Sequence, residues 1–177
     1  MKRNTVIYGL AAGVFLMAGM LVGFLLGGER GGGSGSEWLG YSFMIVALSA
    51  VFIGVKRYRD RELGGVIRFG TAFLLGLGIT VLASVIYVAS WEVVLSLSDY
   101  AFAEDYSESV LAAKQAAGLS GAELEAEIAK MAEFAERYAN PLYRLPITFL
   151  EIFPVGLLIT LISAAILRNS KILPASA

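Results

Sequence analysis

Residues 145–167 read LPITFLEIFPVGLLITLISAAIL, one apolar run bounded by Arg144 and Arg168. A run of about 20 apolar residues is long enough to cross the hydrocarbon core of a bilayer as a helix. Two residues do not belong in a plain hydrophobic helix: Glu151, and Pro154 three positions on. An ionisable side chain inside a span is costly and marks a candidate functional position. Proline has no N–H to donate to the carbonyl four residues back, here that of Leu150. A free backbone acceptor beside the carboxylate, and a kink in the helix, are therefore expected.

The composition agrees with a membrane protein. Of 177 residues, 57% are hydrophobic and 16% charged, where soluble domains carry about a quarter charged. The net charge of -1 argues neither for nor against nucleic acid, and no such partner is expected. There is no cysteine and no histidine. This removes disulfides, thiol chemistry, the usual zinc ligand sets and the commonest general base. No cofactor and no metal are expected.

Three further spans precede the opening stretch. Residues 5–28 follow Met1-Lys2-Arg3. A basic start and an apolar run also describe a signal peptide. This run is longer than the usual apolar region of about 7–15 residues, and no small-x-small cleavage site follows, so it reads as the first span. Its Gly19, Gly23 and Gly27 share one face, where another helix, of this chain or a second copy, can approach closely. Residues 27–36, GGERGGGSGS, lack the Gly-Lys-Ser/Thr of a phosphate-binding loop and read as a flexible connection. The second span, 37–55, opens with Trp38 and Tyr41 as interfacial anchors and runs into Lys56-Arg57-Tyr58-Arg59-Asp60-Arg61-Glu62, then Gly64-Gly65. Lys56, Arg57, Arg59 and Arg61 set topology and are candidates for contact with anionic lipid. The third span, 66–91, carries Thr80, Ser84, Tyr87 and Trp91 along one face. Hydroxyls there seek protein partners. Its helical pattern continues through Leu97.

Residues 99–139 are acidic and soluble in character. Gly118 suits a helix end, and Ser120 with Glu123 has the spacing of a capping box. Phe102, Tyr106, Val110, Ala113 and Ala117 form one apolar stripe; Leu124, Ile128, Met131, Ala135 and Tyr138 form another. Two amphipathic helices closed along these stripes are expected. Glu133 and Arg137 can pair on the second helix, a contribution of about 0.2–0.5 kcal/mol. Asn140-Pro141 then starts the last helix, 142–167, and the tail to Ala177 is expected to fray. The chain thus divides into a bundle, 1–98 with 140–170, and a hairpin, 99–139.

Four spans place both termini on one side. Lys2, Arg3, Lys56, Arg57, Arg59, Arg61, Arg68, Arg168 and Lys171 fall there; Arg30, Lys114, Lys130, Arg137 and Arg144 fall opposite, three of them in the long hairpin. Positive charge in short loops marks the cytoplasmic side. The termini and basic turn are therefore expected in the cytoplasm, and the hairpin outside it.

Several segments together are distinctive: Tyr58-Arg59-Asp60-Arg61-Glu62-Leu63-Gly64-Gly65, the Tyr87…Trp91 end of the third span, Asn140-Pro141-Leu142, and Thr148-Phe149-Leu150-Glu151-Ile152-Phe153-Pro154-Val155-Gly156. With them the chain resembles, over nearly its whole length, a bacterial membrane family catalogued as domain of unknown function 4199. The resemblance implies four spans and a bacterial inner-membrane location. It carries no activity.

If Glu92 and Arg144 lie level in antiparallel neighbours, Glu151 lies level with Val85, between Ser84 and Tyr87, and roughly 10 Å below Arg144 at the helical rise. Glu151, Ser84, Tyr87 and the carbonyl freed by Pro154 could hold a proton, a cation or a polar headgroup. They could equally be a tie between two helices. Glu92 with Arg144 reads as an interfacial ion pair. Three functions fit. The favoured one is a non-enzymatic, self-associating scaffold whose hairpin meets an envelope partner. The alternative is a small transporter, channel or lipid- or ion-binding subunit using Glu151. An enzyme has the weakest support, since the spans hold no His, Cys or clustered acids.

Overall fold

The structure, a computed structural model, describes residues 1–27 and 34–174, and within them the chain is all-helical with no strand. The helices are α1 (Lys2–Gly27), α2 (Ser34–Glu62), α3 (Phe69–Leu97), α4 (Phe102–Ala116), α5 (Gly121–Ala139) and α6 (Pro141–Leu167). Four of them hold segments long and apolar enough to cross a membrane: Lys2–Leu25, Gly40–Glu62, Phe69–Leu97 and Pro141–Leu167. Most of the connection expected at 27–36, and residues 175–177 of the tail, lie outside the described residues. The basic turn expected after residue 55 is instead the last two turns of α2. That helix stops at Gly64 and Gly65, whose φ of +64° and +91° only glycine adopts freely, and the Gly65 N–H donates to the Arg59 carbonyl, 2.9 Å.

Contacts at glycines fix how the long helices run. Thr5 meets Gly78, Gly9 meets Leu82 and Gly13 meets Ile86, so α1 runs parallel to α3 in constant register. Tyr8 meets Gly54 and Phe43 meets Gly19, so α1 and α2 are antiparallel. Gly76 meets Thr160 and Thr80 meets Gly156; sixteen residues farther along α3 and sixteen back along α6, Glu92 meets Arg144. These two helices are antiparallel in one unbroken register.

Their seam is built from the same short pattern used twice. Gly76-x-x-x-Thr80 faces Gly156-x-x-x-Thr160 head to tail. Each threonine methyl lies where a Cβ on the opposite glycine would be. Thr80 Oγ1 is 3.2 Å from the Gly156 carbonyl, to which it can donate, and 3.0 Å from Thr160 Oγ1. Bilayers supply no hydrophobic drive for helix association, so close contact through small residues and internal hydrogen bonds must do it. Leu75, Ile79 and Ala83 place α3 at the centre, wholly buried between α1, α2 and α6.

Beyond the end of the bundle, α4 and α5 fold against each other. Gly118, φ +96°, ends α4: the Leu119 N–H donates to the Lys114 carbonyl, 3.0 Å, and the Gly118 N–H to that of Gln115, 2.9 Å, a Schellman arrangement. Ser120 precedes α5 in extended backbone, but its side chain makes no capping hydrogen bond, so the expected box does not form. The facing surfaces agree with the expected stripes at Phe102, Val110, Leu124, Met131, Ala135 and Tyr138, which are buried or half-buried, and differ elsewhere. Ala113 and Ala117 are exposed, Ile128 is 45% exposed, and Glu127 and Phe134 turn inward instead. Two contacts accompany this difference: Lys114 pairs with Glu127 across the hairpin, and Phe134 packs, tilted, between Tyr106 and Tyr138.

Candidate functional site

The hairpin is joined to the bundle at one buried guanidinium. Arg144, in the first turn of α6, is 3% exposed. Its Nε and Nη2 donate to the two carboxylate oxygens of Glu92 at 2.7 and 2.8 Å. Its Nη1 donates to the carbonyls of Tyr138, 2.8 Å, and Ala139, 3.3 Å. Those are the last carbonyls of α5, which have no partner within their helix and attract a cation. Asn140 turns the chain into α6, its Oδ1 accepting from the Leu142 N–H at 3.0 Å, and so brings Arg144 back beneath the helix it has just left. The guanidinium also lies over the rings of Tyr100 and Tyr138, 5.2 and 5.7 Å from their centroids. One side chain therefore ties together the ends of α3, α5 and α6.

Around it is an aromatic cluster. Trp91 Nε1 donates to Tyr138 Oη, 2.7 Å; Phe102 packs edge-on to Trp91 and beside Tyr138. Burial pushes the Tyr138 hydroxyl above the ordinary tyrosine range. Tyr100 reaches the guanidinium because Asp99 and Tyr100 both have positive φ, 50° and 62°. Such a conformation is strained in residues other than glycine and costs of order 1–3 kcal/mol each. The Tyr100 N–H donates to the Leu95 carbonyl, 2.8 Å, closing the turn. A cleft of about 510 Å³ opens here, lined by Leu95, Tyr100, Ala103, Tyr138 and Arg144, with Glu104 and Glu136 also on its wall.

Glu151 lies elsewhere on α6. It is exposed, on the outer surface of the bundle rather than buried between α3 and α6 as expected. The Tyr87 hydroxyl, from a buried side chain, faces its carboxylate. Ser84 does not join them: it is fully buried and donates to the Thr80 carbonyl of its own helix, 2.9 Å. Pro154 is exposed one turn farther on. The structure thus brings Glu151 and Tyr87 together and leaves Ser84 in the helix seam.

The basic residues at the other end divide. Arg59 is fully buried and unavailable to lipid. Its Nη1 donates to the carbonyls of Leu167, 3.4 Å, and Ile172, 3.1 Å; its Nη2 bonds that of Leu173, and its Nε donates to Asp60, 2.7 Å. It closes the C-terminal end of α6. Lys56 pairs with Asp60 at 2.6 Å. Arg57 and Arg61 remain exposed. Of the α1 glycines singled out for packing, Gly19 contacts Phe43 and Gly23 faces open space, while the surroundings of Gly27 lie outside the described residues. Gly9 and Gly13, against α3, carry the close approach instead. Among the described residues, no three Asp or Glu side chains stand close enough to hold a metal ion.

A family model described as "Protein of unknown function (DUF4199)" matches residues 7–169. The chain belongs to the DUF4199 family. The matched range takes in α1 from residue 7 onward, the other three long helices, the hairpin, the Arg144 junction and Glu151. Neither a curated protein nor a solved structure matches the chain.

Proposed function

We propose that this DUF4199 protein is a self-associating, non-enzymatic component of a bacterial inner membrane, which presents its α4–α5 hairpin outside the cytoplasm to an envelope partner. Charge supports the orientation: Lys2, Arg3, Arg57, Arg61, Arg68, Arg168 and Lys171 gather at the end opposite the hairpin. The observation that carries the functional reading is the Arg144 junction. A hairpin with no role in contact could hang from flexible linkers. This one is fixed to the bundle by a bidentate ion pair, two helix-end carbonyls and the Trp91–Tyr138 hydrogen bond. A fixed element presents its surface with less ordering entropy to lose on contact.

The chain has no native cysteine, so single cysteines report without background. In intact cells, cysteines at the exposed Ala112 or Ala122 should react with a membrane-impermeant maleimide, and one at Lys171 should not. A photo-crosslinker at Ile128 should then give one discrete adduct, lost when the hairpin is released by Arg144→Gln. Reaction at Lys171 alone would reverse the topology, and a crosslink indifferent to Arg144→Gln would separate contact from presentation.

The alternative, a transporter or channel, has less support in a single copy. The reciprocal Gly–Thr contacts close the seam between α3 and α6. A binding role for Glu151 is favoured by its exposure on the outer surface of the bundle.

A further inference from the structure

Ile147, Leu150, Glu151, Pro154, Leu158 and Leu161 are all exposed and recur at helical spacing along α6. This stripe of a membrane span meets lipid, and Glu151 stands in the middle of it. The Leu150 carbonyl beside it has lost its helical partner to Pro154. Two hydrogen-bond acceptors, one a carboxylate, therefore lie on a face where lipid chains offer no donor, and the Tyr87 hydroxyl that faces the carboxylate has a single proton to give. Beneath them lies the Tyr87 hydroxyl, with Tyr41 of α2, 48% exposed, close by. Side chains on a helix lean toward its N-terminus. The N-terminus of α6 is at the hairpin end, so Glu151 reaches from roughly 10 Å below Arg144 toward the headgroups of that leaflet.

We propose that Glu151, the Leu150 carbonyl and Tyr87 bind the primary ammonium group of an aminophospholipid, of the phosphatidylethanolamine class, in the leaflet on the hairpin side. The site offers acceptors and needs donors. A primary ammonium supplies three N–H donors with the complementary charge, and neighbouring tyrosine rings favour a cation. A glycerol headgroup carries only the phosphate's negative charge, and a quaternary amine has no N–H. A divalent cation such as calcium requires about 6–8 oxygen ligands, more than this face provides. A second copy packed two-fold on the same stripe would set Glu151 against its own counterpart, like against like. The site does not depend on the hairpin having a partner.

The test is native mass spectrometry of the full chain, purified in mild detergent and mixed with phosphatidylethanolamine, phosphatidylglycerol or phosphatidylcholine. One phosphatidylethanolamine should be retained per chain, in preference to the other two. Glu151→Gln, which removes the charge and keeps the shape, should weaken retention roughly tenfold, as expected for loss of a charge-assisted hydrogen bond, while leaving the melting temperature of the lipid-free protein unchanged. If Glu151→Gln does not fold, wild-type protein is used alone: phosphatidylethanolamine, not phosphatidylcholine, should protect Glu151 from a hydrophobic carbodiimide. Equal retention of all three lipids, retention indifferent to Glu151→Gln, a dimer that excludes lipid from this face, or no selective protection would each overturn the proposal.

Discussion

Arg144 is the residue on which the two parts of the molecule depend. Every hydrogen bond its side chain makes uses the planar fork of the guanidinium, so lysine is not an equivalent replacement. Arg144→Gln leaves Glu92, at 27% side-chain exposure, facing no cation, and should lower stability by about 3 kcal/mol, within the range for breaking a largely desolvated pair. Glu92→Gln with Arg144→Gln should recover part of that loss, because no lone charge remains. Thermal unfolding in detergent measures both. Tyr138 adds a pH dependence of definite sign. Its hydroxyl is raised above the unfolded value of about 10 by burial. Stability is therefore unaffected below that value and falls as pH rises past it, because the unfolded chain releases the proton first. Trp91, which donates to this hydroxyl, should show a fluorescence change in the same alkaline window, and Tyr138→Phe should abolish the part that belongs to this site. At this scale the sequence was legible where charge decided the outcome. Glu92 and Arg144 stand at the same level of antiparallel neighbours, and they meet. It was not legible where a choice of face decided. In α6 nearly every residue is apolar, so nothing in the pattern says which side meets lipid, and the exposure of Glu151 needed the structure. The stacking of Tyr100 depends on two positive-φ residues that no glycine announces.

At the scale of elements, glycines separate into those that permit contact and those that do not matter. A Cβ on Gly156 would run into the Thr80 methyl, whereas one on Gly23 meets open space. Gly156→Ala should destabilise by about 1–3 kcal/mol, the usual effect of overpacking, and Thr80→Ser in the same chain should relieve it by removing the methyl. Gly23→Ala should stay within about 0.5 kcal/mol of wild type. Unfolding in a single detergent, compared across the three variants, tests this; equal effects at Gly23 and Gly156 would contradict it. A four-residue glycine spacing was visible in α1. What decides its use is the neighbour, and the paired Gly-x-x-x-Thr patterns of α3 and α6 were the better signal. In the hairpin, helix existence followed from the apolar periodicity. The facing residues followed only in part: Phe102, Ala135 and Tyr138 pack as the stripes imply, but apolarity is not the only reason for a side chain to be inside. Glu127 turns in to meet Lys114, whose hydrogen bond holds its carboxyl below the ordinary range. That contact is present at neutral pH and is lost only as pH falls through the lowered value, so the hairpin tip should loosen in acid and not near neutrality. Hydrogen exchange of α4 and α5 across that range measures it.

For the whole molecule, four apolar helices and an amphipathic pair were readable from composition and period, because lipid and water impose opposite patterns on a chain. The register of α3 against α6 was readable as well, from Glu92 opposite Arg144; that of α1 against α2 and α3 was not, since it is set by where small residues let backbones approach. The resulting object is a bundle with a hairpin fastened to one end through Arg144 and the Trp91–Tyr138 hydrogen bond. Its rigidity is the premise of the proposed role as a presented contact surface. Spin labels on cysteines at Val93 and Gln115, both exposed and one on each part, measure that directly by double electron–electron resonance in lipid nanodiscs. A narrow distance distribution in the otherwise native chain, broadened by Arg144→Gln, is the result predicted. A broad distribution in the native chain, or a narrow one that Arg144→Gln leaves unchanged, would contradict the account.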